Sequence, residues 1–133
     1  MAISIVRLGT PRGKHEGLRV GTVRRPPRGV PKKDFAALDY YEVWLPELSP
    51  SQPLVSFAMK AQDAKAWNAF ERKYRAEMSR PEPSRLLDLL AALSHRTNLS
   101  VGCYCENESR CHRSVLRALL TDRGAKVNLK FEV

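Results

Sequence analysis

The carboxyl-terminal part of the chain carries, in order, the residue pattern of a strand, of a helix and of a second strand. Leu99 to Cys105 predicts a strand and Arg110 to Leu120 a helix. Gly124 supplies the left-handed residue that often ends a helix, and apolar residues then alternate from Val127 to Val133. Such a strand, helix and strand form a βαβ unit with a right-handed crossover, whose strands are parallel. The fold class must therefore be α/β.

Earlier segments of the chain predict further strands and helices. We expect strands over Ala2 to Leu8 and Leu18 to Arg24, then no regular structure in the proline-rich loop from Arg25 to Pro31. Helices are expected from the N-cap Asp63 to Met78, and from the N-cap Ser84 to Leu93.

Two segments have weaker patterns. Tyr40 to Leu45 fits either a short strand or a short helix, and Pro46 to Pro53 predicts a turn-rich connector. Neither segment changes the predicted fold class. The prediction is one α/β domain over residues 1–133, three-layer-like, with a mostly parallel sheet that contains the carboxyl-terminal βαβ unit.

Composition limits the kind of protein this can be. A chain of 133 residues can bury a core without disulfides. Its three cysteines are an odd number and lie close together, unlike a secreted disulfide framework. There is no apolar run of the ~20 residues that span a bilayer, and no signal-peptide pattern. We therefore expect a cytoplasmic location and no membrane partner.

All three cysteines fall at the predicted junction between strand and helix, where α/β proteins commonly bind ligands. Cys105 would end the strand, and Ser109 would cap a helix whose first turn holds Cys111 and His112. We predict Cys105 or Cys111 as the reactive group, and Glu106 or His112 as the proton carrier.

A reactive cysteine at neutral pH needs neighbouring groups that stabilise its thiolate form. An ordinary cysteine has a pKa of ~8.5, so half ionisation at neutral pH requires ~2 kcal/mol of stabilisation. A helix N-terminus supplies ~0.3–1 kcal/mol, so a cationic neighbour such as Arg110, Arg113 or His112 must supply the remainder.

Other uses of the cysteines stay open. Three cysteines and a histidine are zinc ligands by type, but Cys103 and Cys105 on an extended strand hold their sulfurs too far apart unless the backbone turns there. Cys111 and His112, consecutive on a helix, would point ~100° apart. We therefore predict no metal and no cofactor. Cys105 and Cys111 could form a disulfide, or the cysteines could simply be buried core residues.

Charge is concentrated near the amino terminus, where residues 1–33 carry +8 of the net +9. Such a block attracts phosphorylated or otherwise anionic ligands. We predict that Arg24, Arg28 and Lys32 join Arg110 and Arg113 to bind an anion. The alternatives are a nucleic-acid-binding module that uses residues 7–33, a solvated basic face, or a non-catalytic interaction protein. There is no glycine-rich nucleotide fingerprint, which argues against a dinucleotide cofactor.

From about Leu18 to Leu120 the chain resembles the YeaO-like family of domains of unknown function, DUF488. Three segments and a set of single residues carry the resemblance: Pro27-Arg28-Gly29-Val30, Leu48-Ser49-Pro50-Ser51, Cys111-His112-Arg113, and Arg24, Lys32, Lys33, Leu54, Phe57, Trp67, Phe70, Tyr74, Glu77 and Met78. The resemblance implies a compact cytosolic bacterial α/β domain and brings no established activity. Where members commonly have Asp-Arg-Leu-Trp-Pro-Arg-Gly, this chain has Val23 to Gly29, without the acidic and tryptophan residues.

Overall fold

The computed structural model describes residues 1–128, apart from the side chain of Arg110. Its strands are β1 (Ile3–Arg7), β2 (Leu18–Gly21), β3 (Val43–Trp44) and β4 (Leu99–Cys103). Its α-helices are α1 (Gln52–Lys60), α2 (Ala64–Met78), α3 (Pro81–Leu93) and α4 (His112–Asp122). Short 3-10 turns occupy Lys32–Asp34, Pro46–Leu48 and Glu108–Arg110.

The four strands form one parallel sheet in the order β1-β4-β2-β3. Leu99 of β4 pairs with Ile3 on one side and with Leu18 on the other, so β4 is central. After α4 the chain returns to the sheet, where Val127 forms a parallel bridge with Ile3. The α/β class and the parallel sheet are confirmed. Most of the predicted final strand, from residue 129 onward, lies outside the described residues.

The helices pack over one face of this sheet. Apolar residues of β1 and β4 alternate toward that face, and the aromatic stripe of α2 and the leucines of α4 cover them. The buried residues that form this core include Ile3, Ile5, Leu99, Val101, Phe70, Tyr74, Met78, Leu116 and Leu120. The periodicity that predicts α2 also identifies its buried side.

Loops cover the opposite face, and beneath them lies a buried ion pair. Arg19 is fully buried, and its Nε lies 2.6 Å from Oε2 of Glu16. The hydroxyl of Ser100 donates to the same carboxylate oxygen at 2.7 Å. Arg19 also donates to the carbonyl oxygens of Thr10 and Asp39, at 2.8 and 2.5 Å. Part of the amino-terminal charge is therefore structural.

Several element boundaries differ from those expected. The predicted connector Pro46 to Pro53 runs into a helix, α1, because a proline is compatible with the first turn of a helix. For the same reason α3 begins at Pro81, upstream of the expected cap Ser84. The Asp63 cap of α2 is confirmed, since its carboxylate accepts the Ala66 N–H at 2.7 Å.

The boundaries around the cysteines also differ. β4 ends at Cys103 rather than Cys105, and α4 begins at His112 rather than Arg110. The expected cap Ser109 lies inside a 3-10 turn, where its own N–H donates a hydrogen bond to Oδ1 of Asn107. Among residues 1–128, the helices are all too short or too polar to cross a bilayer.

Candidate functional site

Cys103 and Cys105 lie at the end of the central strand, with their sulfur atoms 3.7 Å apart. An extended strand would keep these sulfurs further apart, but β4 stops at Cys103 and the backbone turns immediately afterwards. The backbone turn that would let the sulfurs of Cys103 and Cys105 share one zinc ion is therefore present. Cys103 is buried, whereas Cys105 is exposed.

Cys111 is the N-cap residue of α4 and is buried. Its φ of −128° and ψ of 153° are extended rather than helical, so its side chain does not follow the helical direction expected for it. Its Sγ lies 3.7 Å from Nδ1 of His112. The donor atoms of Cys103, Cys111 and His112 all lie within 4.8 Å of one another. We call Cys103, Cys105, Cys111 and His112 the cysteine cluster.

Thr22, just after β2, orients the imidazole of His112. Nε2 of His112 lies 2.8 Å from the carbonyl oxygen of Thr22 and 3.1 Å from its Oγ1. The Thr22 hydroxyl donates its one proton to the carbonyl of Gly102 at 2.9 Å, so both oxygens of Thr22 accept from Nε2. The proton of the neutral ring is therefore on Nε2, which leaves the Nδ1 lone pair directed at Cys111.

The three thiols interact strongly, and their contacts favour ionisation of Cys111 over that of Cys103 and Cys105. Hydrogen bonds from Cys103 and Cys105 hold the pKa of Cys111 well below its ordinary value; burial opposes them and His112 assists. Hydrogen bonding to Cys105 and Cys111, with burial, raises the pKa of Cys103. For Cys105, the hydrogen bond with Cys103 lowers the pKa, but the bond with Cys111 and burial outweigh it, and the pKa is raised.

Arg113 holds the turn that brings the sulfurs together. Its Nη2 donates to the carbonyl oxygen of Cys105 at 2.6 Å, and its side chain is buried. Within residues 1–128, its Nε has no hydrogen-bond partner and the guanidinium forms no ion pair with a carboxylate. Among the described residues, a buried positive charge therefore lies beside the cysteine cluster without a carboxylate to balance it.

A cavity of about 430 Å³ opens in front of the cysteine cluster. All four cluster residues line it, and much of the remaining wall is apolar. The rings of Trp67 and Phe70 lie 4.7 Å apart in a stacked arrangement in this wall. Arg24 and Arg25 also line the cavity, so the site combines apolar surface, sulfur and positive charge.

The predicted anion-binding residues are not all brought together. Arg24 lies at the cavity, with its Nε and Nη2 bonded to the carbonyl of Pro50 at 3.2 and 3.1 Å. Arg28 and Lys32 are exposed and do not line the cavity. The Arg110 side chain lies outside the described part of the structure, and Arg113 is bonded to Cys105 as described above.

Glu106, the alternative proton carrier, is exposed and does not line the cavity. One oxygen of its carboxylate lies 4.0 Å from Arg7. The basic strip of residues 7–33 is likewise interrupted, because Arg19 is buried against Glu16, and Arg12 pairs with Asp39 and Glu42.

No pattern in the sequence places Thr22 or the aromatic wall of the cavity at this site. Thr22 is 90 residues from His112, and no local pattern links the two. The periodicity of Trp67 and Phe70 predicts core packing, and Phe70 is indeed buried. Only the placement of α1 and α2 beside β4 shows that the same rings also face a cavity.

Comparison with known protein families gives a match. The family model DUF488-N3a, described as "Active DUF488-N3 subclade", matches residues 3–124. Neither the curated proteins nor the solved structures contain a match to this chain. The family model covers nearly all of the chain and includes the cysteine cluster and both cavity arginines. The chain therefore belongs to the DUF488 family of domains of unknown function, in the subclade DUF488-N3a.

Proposed function

We propose that this protein is a thiol-dependent enzyme in which Cys111 is the nucleophile and His112 is the base. One observation carries the proposal: Nδ1 of His112 lies 3.7 Å from the Cys111 sulfur, and Thr22 fixes the tautomer that leaves Nδ1 free to accept a proton. A nucleophile, a base and a third group that orients the base are the usual components of thiol catalysis.

The surroundings support charge on this sulfur. Cys111 caps α4, and the positive end of a helix dipole stabilises an anion there. The Tyr74 ring packs in a T-shaped arrangement with the His112 imidazole, with centroids 5.6 Å apart, which restricts the rotation of the base. The description of the matched subclade as active agrees with a catalytic role.

The reaction step follows from the two side chains. The Cys111 thiol gives its proton to Nδ1 of His112, and its sulfur attacks an electrophilic atom of the substrate. The bond to the leaving group breaks with its electron pair, and His112 returns the proton to that group. Water then releases the substrate fragment from sulfur and restores the thiol.

The cavity supports a substrate with an apolar or aromatic body and one anionic group. Trp67, Phe70 and Val55 offer apolar surface to the body, while Arg24 and Arg25 supply positive charge for the anion. A volume of about 430 Å³ suits a small molecule. We further propose that the protein acts in the cytoplasm, where thiols stay reduced.

Alkylation with iodoacetamide, located by peptide mass spectrometry, tests the proposal. We expect Cys111 to react faster than Cys105, although Cys105 is the exposed residue. The Cys105→Ser variant, whose hydroxyl can still donate to the Cys111 sulfur, should keep the fast reaction, and Cys111→Ser should lose it. In the wild type, urea should remove the difference between the two sites. Faster modification of Cys105 in the folded protein would contradict the assignment.

A further inference from the structure

We infer that the cysteine cluster binds one thiophilic divalent cation of the Zn²⁺ type through the sulfurs of Cys103, Cys105 and Cys111 and Nδ1 of His112. These are ligand types that Zn²⁺ prefers, in a set of three cysteines and one histidine. The ligands come from the end of β4 and the start of α4, two elements that the sheet holds in fixed positions.

The spacing of the donor atoms fits a tetrahedral ion. With Zn–S bonds of about 2.3 Å, two sulfurs of a tetrahedron lie about 3.8 Å apart, and a sulfur and a nitrogen about 3.6 Å apart. The Cys103 and Cys105 sulfurs are 3.7 Å apart, and Cys111 Sγ is 3.7 Å from His112 Nδ1. The donors of Cys103, Cys111 and His112 fall within 4.8 Å of one another, so small movements would complete the site.

The neighbouring groups match those around bound metal ions. A ligating histidine usually donates its second ring N–H to a carbonyl or carboxylate, and Nε2 of His112 donates to Thr22. This contact leaves on Nδ1 the lone pair that a metal needs. Arg113 fixes the Cys105 carbonyl and so holds the turn that carries the third sulfur.

The buried charge of Arg113 is a second, independent indication. Three thiolates and one divalent cation together carry a single negative charge, which this guanidinium would balance. In the described residues no carboxylate pairs with Arg113, and its Nε has no partner. A metal would bind with release of the thiol protons to solvent, and the cluster would then supply the missing negative charge.

Metal binding would also regulate the site, because a metal-bound Cys111 is not available as a nucleophile. This masking depends on the thiol chemistry proposed above, whereas metal binding itself does not. The exposed Cys105 lets the ion enter the cluster from solvent.

Cobalt titration tests the binding. The full chain, reduced and then freed of metal with a chelator, is titrated with Co²⁺, and Zn²⁺ is then added in competition. We expect one Co²⁺ per chain, visible absorption of tetrahedral intensity, a sulfur-to-cobalt charge-transfer band, and displacement by Zn²⁺. Weak octahedral absorption, or no saturable binding, would overturn the inference.

Two variants make the assignment specific. Cys105→Ser changes an exposed residue, so its folding is expected to be unaffected, and it should weaken Co²⁺ binding by more than the about 10–100-fold typical of an outer-shell change. Gln52→Ala, which alters the same cavity without touching a ligand, should bind normally. Equal affinities in the two variants would remove Cys105 from the site and overturn the four-ligand assignment.

The rate of Cys111 alkylation tests separately whether a bound metal blocks this thiol. Saturating Zn²⁺ should slow alkylation of Cys111 at least about tenfold, and a chelator should restore the rate. Tetrahedral binding with unchanged alkylation would refute the masking alone. Slow alkylation of Cys111 in the metal-free protein would instead refute the proposed thiol enzyme and leave the metal site intact.

Discussion

Nε2 of His112 lies 2.8 Å from the carbonyl oxygen of Thr22, a contact between the start of α4 and the end of β2. It assigns the ring proton to Nε2 and leaves Nδ1 directed toward Cys111. The contact exists only because β2 pairs beside β4, which brings residue 22 to the junction that carries the cysteines. The segment from Cys103 to Arg113 does not hold this geometry alone.

Replacing Thr22 by valine removes the hydroxyl that accepts from His112 and donates to Gly102. We expect alkylation of Cys111 to slow about tenfold, the equivalent of one hydrogen bond. Stability should fall by about 0.5–1.5 kcal/mol, since one buried hydrogen bond is lost while the backbone N–H of residue 22 still donates to the Gly102 carbonyl. Rates from mass spectrometry and urea denaturation measure the two effects. Thr22→Ser, which keeps the hydroxyl, should recover most of the rate. Because both variants keep the Thr22 carbonyl, a Val variant as fast as the Ser variant would contradict the orienting role of the hydroxyl.

Glu16 should make stability fall in acid. Burial alone would raise the pKa of its carboxyl, but hydrogen bonds from Arg19, Ser100 and the Gly13 N–H outweigh it and lower the pKa below the ordinary 4.5. A carboxylate whose pKa is lower in the folded state contributes its full stabilisation above pH 4.5 and loses it progressively below. Thermal melting from neutral pH into acid measures this loss.

Glu16→Gln provides the control for that pH dependence. It should cost about 3–5 kcal/mol at neutral pH, because the buried Arg19 then lacks its counter-charge. Its melting temperature should also change less between neutral and acid pH than that of the wild type. A variant with the same acid slope as the wild type would show that other carboxylates cause the loss.

Arg24 and Arg28 form a matched pair for testing anion recognition. Arg24 lines the cavity beside the cysteine cluster, whereas Arg28 is exposed and lies outside the lining. An aryl phosphate should protect Cys111 from alkylation, and Arg24→Gln should weaken this protection about tenfold, the value of one charge-assisted hydrogen bond. Arg28→Gln should leave it unchanged. Protection that depends on Arg28 instead would move the anion site away from the cavity.

Alanine substitutions at Gly17 and Gly29 distinguish the stability cost of steric crowding from the cost of an unfavourable backbone conformation. Both have positive φ, +84° and +74°. A Cβ on Gly17 would lie 2.0 Å from the Asn98 carbonyl oxygen, whereas one on Gly29 would meet nothing within 4 Å. Urea denaturation should show a loss of about 1 kcal/mol for Gly29→Ala and more than about 3 kcal/mol for Gly17→Ala. Similar losses would mean that the loop at Gly17 can move away from β4.

Much of this fold is predictable because the strand and helix patterns depend on residues that are close together in the sequence. An apolar, β-branched run indicates β1, alternation indicates β2, and Asp63 with its aromatic stripe indicates α2. The prolines near the starts of α1 and α3 obscure where these helices begin, because proline is typical of turns but is also compatible with the first turn of a helix. The family and the α/β class were also predictable, since both depend on residue patterns along the chain.

The site was predictable only in part. The sequence places Cys111 and His112 at a helix start, but not the turn after Cys103 that brings two sulfurs to 3.7 Å. The amino-terminal positive charge suggested convergence on the cysteines, yet Arg28 and Lys32 do not line the cavity. Such outcomes depend on contacts between distant segments, which no local pattern encodes.

The central position of β4 has a consequence for biosynthesis. β4 joins β1 to the pair β2 and β3, so a nascent chain that has left the ribosome only as far as α3 lacks the strand that connects the two parts of the sheet. It also lacks Cys103, Cys105 and Cys111, because every sulfhydryl group is translated after that point. The sheet and its chemistry are therefore completed by the same late segment, and a truncated product has neither.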